Sequence, residues 1–321
     1  MKTILRTFVG CTAILFGTAC MGAVKYVPEN MKVELSLKVP GNNAVNYKLH
    51  PDKLENSYFD YEWRSDNKLP ITVFHKVEER DSCMRLTVQL TAAQDVYFNY
   101  RQLLSTGYRH DNCQFYMPGF WYRRNLRSPK KAPSFHTSDS WLVREDRLSA
   151  PLTGIFSEKE KRFMTVNRLD DFSMDALATH KEGEIILSGK TSLGFTGFEN
   201  QQGIAMLSFG FPYREAPKSY IRKLTLAPEV EAFQLMKKGE SVLLTWEIME
   251  SGADDFSDFI QHTWEHCYDT YAPKPVENSY SIADMKQVLS CFFVNSLVDN
   301  QPLVYNLSLI HISEPTRPEP I

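Results

Sequence analysis

Alternating hydrophobic and polar residues dominate the first 250 positions of the chain. Residues 33–39 show this period-two alternation, which predicts a half-buried strand. The other strand-like runs are 59–63, 71–77, 84–90, 96–100, 162–168, 184–188, 204–211, 221–226 and 241–249. Turn signals such as Pro40-Gly41 and Lys238-Gly239 separate them. Roughly a dozen strands without intervening helices predict a mainly β protein, a large antiparallel β-super-sandwich.

The pattern then changes to the three- and four-residue spacing of amphipathic helices. Apolar residues at that spacing over 256–271 predict a linker helix, which Pro273 ends. Ser281 and Asp284 resemble a capping box, so a second helix begins there and is expected to run toward Asp299. Its apolar stripe needs a partner domain to cover it, which predicts the start of an all-α domain.

The first residues predict export. Lys2 and Arg6 precede an apolar run over 8–16 that is too short to span a bilayer, as in a bacterial signal peptide. Small residues then lead to Cys20, so we expect either lipidation of Cys20 or simple cleavage, for example after Ala23. The expected location is the periplasm, or the outer membrane through a lipid anchor.

The last residues do not read as native protein. Residues 307–317, LSLIHISEPTR, resemble a translated sequencing-library adapter, so the native chain is expected to continue past Asn306.

The predicted division of the sequence is a signal peptide over 1–20, a β-sandwich over 24–250, a linker helix and Pro-rich linker over 251–280, the start of a truncated α-domain over 281–306, and a non-native tail over 307–321.

Composition and charge narrow the function class. The chain is 43% hydrophobic and 12% aromatic, which provides a core and excludes low-complexity disorder. Its 36 basic and 39 acidic residues are mixed and give a net charge of -3. Without a basic face, nucleic acid is not expected as a partner. A mildly acidic exported domain fits a neutral or sugar-like ligand better than a polyanion, but this net charge is compatible with a local basic pocket.

Cysteine and histidine spacing gives no sign of a metal site. A Cys83–Cys113 disulfide would form in an oxidising compartment, and buried free thiols are the favoured alternative. His262 and His266 stand four apart with Glu265 between them, but this order differs from the zinc-binding HExxH. We therefore expect surface histidines, no metal and no cofactor.

The order of elements resembles a known enzyme plan. The segments that carry the resemblance are 246–248, 256–271 and 281–293. An exported super-sandwich, a linker helix ending in Pro and the first helix of an α-domain are similar to the N-terminal half of bacterial glycoside hydrolases and polysaccharide lyases with an (α/α) toroid. The resemblance implies catalytic carboxylates on the toroid, beyond Asn306, and a polysaccharide or oligosaccharide ligand.

Aromatic and basic residues are densest over 108–147. Aromatic faces stack on sugar rings, and arginines fork onto the carboxylates of uronic acids. The candidate carbohydrate-binding residues are Trp121, Tyr122, Arg123, Arg124, Trp141 and Arg144. The alternative is that Phe120 and Tyr122 pack in the core while the arginines pair with Glu145 and Asp146.

Adjacent carboxylates are not expected to be catalytic. Glycoside hydrolysis needs two carboxyl groups about 5–10 Å apart across a bond, whereas neighbours on a strand point to opposite faces. The adjacent pairs are Glu145-Asp146, Asp170-Asp171 and Asp254-Asp255. The last of these is better explained as a helix cap.

Three functions therefore remain open. The favoured one is the non-catalytic sandwich portion of an exported polysaccharide-degrading enzyme. The first alternative is an exported carbohydrate-binding or adhesion sandwich without enzymatic activity. In the last, the sandwich itself is catalytic and uses Tyr108, His110, Tyr122 and Arg124.

Overall fold

A computed structural model describes most of the predicted sandwich and both predicted helices. The described residues are 27–55, 60–80, 83–126, 133–170, 183–187, 189–217, 220–222, 225–226, 229–274 and 281–295. The predicted export signal with Cys20, Asp171 of the second acidic pair, and the tail 307–321 lie outside them. Within the described part of the chain, no helix has both the length and the hydrophobicity to span a bilayer.

Strands make up most of the described chain. The strands of the first half are β1 (Met31–Lys38), β2 (Val45–Lys53), β3 (Tyr61–Arg64), β4 (Ile71–Glu79), β5 (Cys83–Ala92), β6 (Val96–Arg109), β7 (Cys113–Met117), β8 (Trp121–Arg123) and β9 (Trp141–Arg144). Those that follow are β10 (Leu152–Ser157), β11 (Arg162–Arg168), β12 (Gly183–Ile186), β13 (Phe195–Gln201), β14 (Ile204–Phe211), β15 (Arg214–Glu215), β16 (Tyr220–Arg222), β17 (Thr225–Leu226), β18 (Val230–Met236) and β19 (Ser241–Gly252). The helices are α1 (Phe256–Tyr271) and α2 (Ile282–Asn295).

Most of the described strands form two antiparallel layers, which confirms the predicted sandwich, while β12 pairs in parallel with β18. Layer A has the order β2-β1-β6-β14-β13-β9. Layer B has the order β2-β3-β4-β5-β19-β11-β10-β7-β8. β2 belongs to both layers, because its first half pairs with β1 and residues 50–53 pair with β3. The layers are therefore joined at this edge.

The core lies between the layers. On β5, Met84, Leu86, Val88 and Leu90 alternate inward, and on β19 Leu244, Trp246 and Ile248 do the same. Layer A contributes residues such as Phe98 and Phe209 to the same buried cluster. Each such side chain contributes roughly 1.5–3 kcal/mol on burial, so these alternating positions are the main stabilising feature of the fold.

Several strands differ from the sequence prediction. The expected strand over 221–226 is wrong, because β16 and β17 pair antiparallel with each other and the chain turns back between them. β6 continues nine residues past the predicted end at residue 100, to Arg109. β10 was not predicted, because all six of its residues are buried and it has no alternation. Its second face is covered by α1.

Helix α1 packs on the outer face of layer B. Asp255 accepts hydrogen bonds from the backbone N–H groups of Ser257 (2.7 Å) and Asp258 (2.9 Å), which confirms the predicted cap. Phe259 is fully buried and packs on Phe156 and Phe163, with ring centroids 6.0 and 4.9 Å away. These contacts hold the first turns of the helix against β10 and β11.

We expect Gly154→Ala to lower the free energy of unfolding by about 1–3 kcal/mol, because it overpacks this contact. An added Cβ would lie 2.6 Å from Phe259 Cζ and 3.1 Å from Thr165 Cγ2. Urea unfolding measures the change. Gly252→Ala on β19 is the matched control, since its Cβ would meet only Lys161 O at 3.7 Å. Equal stability of the two variants would contradict the packing argument.

The chain divides into two compact units, Met1–His266 and Cys267–Ile321. In the second unit Ser281 and Asp284 form the predicted capping box. Ser281 Oγ donates to Asp284 Oδ2 at 2.7 Å, and the Asp284 N–H donates to Ser281 Oγ at 3.1 Å. The apolar side chains of α2 are exposed; they are Ile282, Met285, Val288, Leu289, Phe292, Phe293 and Val294.

Candidate glycan-binding surface

One row of outward-facing side chains crosses the edge of layer B. Tyr122 on β8 is in register with Tyr116 on β7, and Tyr116 is in register with Gly154 on β10. Because the side chain of Gly154 is absent, α1 approaches the sheet closely beside Tyr116. The ring of Tyr116 is 6.1 Å from that of Phe259 in an edge-on arrangement.

Tyr116 fixes two exposed aromatic side chains. Trp264 Nε1 donates a 2.8 Å hydrogen bond to the Tyr116 hydroxyl, and the Tyr122 ring lies 5.3 Å from the Tyr116 ring. Tyr122 is 52% exposed and Trp264 is 39% exposed, whereas Tyr116 is buried. Two ring systems are thus held in place and still presented to solvent.

A cation borders these rings. Arg123 is exposed at the end of β8, and its guanidinium carbon lies 5.2 Å from the centre of the Phe256 ring. Nearby, backbone N–H groups of Asp258 and Ser257 lower the pKa of Asp255, with smaller contributions from the charges of Lys161 and Arg123. We call Tyr116, Tyr122, Arg123 and Trp264 the aromatic surface.

Two of the six sequence candidates, Trp121 and Trp141, lie in the core. Both are fully buried, with ring centroids 5.6 Å apart. Trp121 Nε1 donates to the carbonyl oxygen of Arg123 (2.8 Å) and Trp141 Nε1 to that of Ser138 (3.0 Å). Their rings therefore have no face for a sugar, whereas Tyr122, which the alternative placed in the core, is exposed.

Two arginines of the same set are engaged within the fold. Arg144 is buried and forms a bidentate pair with Asp146 at 2.6 and 2.8 Å. Arg124 donates to the backbone carbonyls of Cys113 (3.1 Å) and Asp111. Of the six candidate carbohydrate-binding residues, Tyr122 and Arg123 therefore remain exposed and available to contact a sugar. Trp264 was missed because its position in a helical stripe indicates core packing.

Two residues of the catalytic-sandwich alternative, Tyr108 and His110, are buried and have partners within the fold. The buried Tyr108 hydroxyl donates to Glu250 Oε1 at 3.3 Å, and burial raises the pKa of Tyr108. His110 Nε2 lies 2.7 Å from Asp139 O, and its ring stacks on Phe135 at 5.1 Å. Burial lowers the pKa of His110, which favours the neutral ring. This histidine is a core residue with its polar atom satisfied.

The adjacent carboxylates form internal ion pairs. Glu145 is buried and lies 2.6 Å from Arg168 Nη1, and Asp170 lies 3.0 Å from Arg168 Nε. Asp170 also accepts the backbone N–H of Thr245 at 2.9 Å. Such paired groups fix the strands and are not presented to a substrate.

Concave regions lie elsewhere on the sandwich. A groove of about 460 Å³ is lined by both apolar and polar residues, which include Pro28, Met31, Val33, Leu49, Trp63, Glu29, Lys32, Lys48, His50 and Gln201. A smaller one of about 250 Å³ includes Glu184, Arg214, Glu215, Glu229 and Glu231. Trp63 is buried, so the larger groove offers no exposed aromatic face. The aromatic surface is the better match to sugar stacking.

The two histidines of α1 have different partners. His262 Nε2 lies 3.5 Å from Asp258 Oδ1 on the same helix, while His266 Nε2 lies 2.7 Å from Glu247 Oε1 on β19. They do not face a common ion. Cys83 and Cys113 are both free and buried, as the favoured alternative to a disulfide expected. The partner of His266 is therefore a residue of layer B, Glu247, and not the other histidine of the helix.

The fold and this surface define an antiparallel β-sandwich that presents aromatic and cationic side chains beside a packed helix. No protein-family model and no curated protein matches the sequence. Solved structures provide weak similarities, which include carbohydrate-active enzymes.

Three structures illustrate these similarities. A polysaccharide lyase has 14% identity and a TM-score of 0.32 over 70% of this chain and 26% of its own. The Slr1438 protein of Synechocystis sp. PCC 6803 has 8% identity and a TM-score of 0.35 over 67% and 73%. A protein from the human microbiome assigned as a kojibiose phosphorylase has 6% identity and a TM-score of 0.30 over 82% and 27%. The chain thus spans about a quarter of the lyase and of the phosphorylase.

Proposed function

We propose that the sandwich is a non-catalytic, glycan-binding part of an exported bacterial polysaccharide-degrading enzyme. The observation that carries the proposal is the aromatic surface. Tyr122 and Trp264 expose ring faces that Tyr116 holds in place, so little conformational freedom is lost on binding. Ring faces of this kind stack on the apolar CH groups of sugars.

The proposed ligand is a polysaccharide or oligosaccharide that contains uronic acids. Arg123 is exposed beside the rings, and its guanidinium can form a bidentate pair with a carboxylate. Lys161 lies close enough to Asp255 to influence its pKa, and it adds a second positive charge near this edge. An acidic sugar would therefore be favoured over a neutral one.

The proposed enzyme carries its catalytic groups on a helical domain to which α2 belongs. The exposed apolar side chains of α2 support this arrangement, because a helix with such a face is stable when other helices cover it. Because these side chains of α2 need a covering domain, they also favour the interpretation that the chain is part of a larger enzyme over the interpretation that it is a separate adhesion protein. Export, with cleavage or lipidation at Cys20, is part of the proposal.

Binding and catalysis are tested on the purified protein with acidic and neutral polysaccharides. We expect retardation in affinity electrophoresis with an acidic glycan, and no release of reducing ends or unsaturated uronate. Tyr122→Ala and Trp264→Ala should each weaken binding about tenfold, equivalent to about 1.4 kcal/mol. Leu243→Ala is the matched control, because Leu243 is an exposed apolar residue on β19.

Two results would count against the proposal. Turnover of any polysaccharide by this protein would refute the non-catalytic role. Equal retardation of Leu243→Ala and Tyr122→Ala, or no binding by the unaltered protein, would refute the aromatic surface as the binding site.

A further inference from the structure

Three donor side chains of different chemistry meet beneath the last part of α1 in the first unit. They are Cys83 on β5, Glu247 on β19 and His266, and their donor atoms all lie within 4.8 Å of one another. Cys83 and Glu247 are buried, and the His266 side chain is 20% exposed. A thiol, a carboxylate and an imidazole are therefore gathered at one point, with one side accessible to solvent.

The topology explains how residues so distant in sequence meet. In layer B, β19 lies beside β5, with Glu247 opposite Arg85 and Met249 opposite Cys83. Glu247 and Cys83 therefore share the outer face of the layer, the face that α1 covers. His266 extends from the helix to Glu247 Oε1 at 2.7 Å, while Arg85 Nη2 lies 3.3 Å from Glu247 Oε2.

We propose that Cys83, Glu247 and His266 form a Zn²⁺ site with water as the fourth ligand. Zinc takes thiolate, imidazole and carboxylate ligands at about 2.0–2.3 Å, so tetrahedral donor atoms stand about 3.3–3.8 Å apart. The observed separations of up to 4.8 Å close around one ion with small side-chain movements. The mixed donor set suits zinc better than calcium or magnesium, which prefer oxygen ligands.

The protons and charges of the site balance. Zinc replaces the proton of the Cys83 thiol, which is released to solvent, and it replaces the contact between His266 Nε2 and Glu247 Oε1. Neutral His266 then carries its ring proton on Nδ1. Two anionic ligands offset the two charges of the ion. Arg85 remains on Glu247 Oε2 and orients the carboxylate from the second shell.

Such a site would link α1 to the two neighbouring strands of layer B. It is separate from the aromatic surface, because none of its residues belongs to that set. Its presence does not depend on the proposed glycan, and the two hypotheses are tested by different measurements.

Metal binding is measured on chelator-treated, reduced protein by calorimetric titration with Zn²⁺ and by absorption with Co²⁺. We expect one Zn²⁺ per chain, a raised melting temperature and a thiolate-to-cobalt charge-transfer band. Cys83→Ser should abolish that band, and Cys83→Ser and His266→Ala should each weaken zinc binding by more than about tenfold.

Two control variants separate the site from non-specific binding. Cys113→Ser removes another buried thiol, and His262→Ala removes the other histidine of the same helix; both should retain the band and the affinity. Absence of stoichiometric zinc binding by the unaltered protein would overturn the proposal. It would also be overturned by cobalt binding without a thiolate band, or by equal affinities in Cys83→Ser and Cys113→Ser.

Discussion

Arg168→Met should lower the free energy of unfolding by about 3–5 kcal/mol, because it leaves a buried carboxylate without its counter-charge. Glu145 is buried, and it accepts hydrogen bonds from Arg168 Nη1 (2.6 Å) and the Gly194 N–H (2.7 Å). Burial raises the pKa of Glu145, and the charge of Arg168 opposes this shift. Asp170 would lose its 3.0 Å partner as well.

The control for this variant is an exposed pair. Arg162 lies 2.9 Å from Glu250, but both side chains contact solvent, so Arg162→Met should cost about 1 kcal/mol or less. Urea unfolding at neutral pH gives both values. A double variant, Glu145→Gln with Arg168→Met, should recover part of the loss because the fully buried carboxylate of Glu145 is also removed. Similar losses from the two single variants would show that burial does not determine the cost.

His75→Gln should make the sandwich less sensitive to acid. Burial lowers the pKa of His75 to about 3 from 6.5, so the folded protein keeps the ring neutral while the unfolded chain binds a proton. The histidine therefore contributes stability above pH 6.5 that is lost as pH falls toward 3. At 1.36 kcal/mol per pKa unit, the loss is about 3 kcal/mol by pH 4 and about 4 kcal/mol by pH 3.

The local structure shows why the imidazole stays neutral. Its Nε2 lies 2.7 Å from the Tyr100 hydroxyl, and the Trp63 ring lies 5.0 Å away between the two layers. Glutamine keeps a polar group there without titrating. Unfolding free energies between pH 7 and 4 test this, with the exposed His50→Gln as control. Parallel pH profiles for the unaltered protein and His75→Gln would contradict it.

Sequence reasoning predicts the fold well where buried and partly exposed residues alternate, as they do on β5. β11 and β14 are buried on both faces, yet they have the predicted bounds because their limits coincide with turn residues. β10 escapes prediction because both its faces are covered, one by layer A and one by Phe259. Period-two alternation reports a single buried face, and it disappears when tertiary packing buries the second.

The candidate site shows the same limit. A high density of aromatic and basic residues cannot separate Trp121, which is buried, from Tyr122 next to it, which is exposed. Trp264 joins the surface only because α1 places its Nε1 against Tyr116. Cys83 and Glu247 are 164 positions apart in sequence, and the pairing of β5 with β19 brings them together. The spacing of residues within a short segment cannot predict contacts between positions so far apart in the sequence.

The pairing of β5 with β19 also sets the order in which the chain can fold. Thr91 on β5 contacts Ser241 on β19 across 150 residues, so layer B cannot be completed before the chain has been synthesised beyond β19. Until then the edges of β5 and β11 that β19 will occupy are unpaired and apolar on their inner faces. Such a high contact order slows folding and exposes intermediates to aggregation. The yield of folded protein therefore depends on how long these edges remain unpaired.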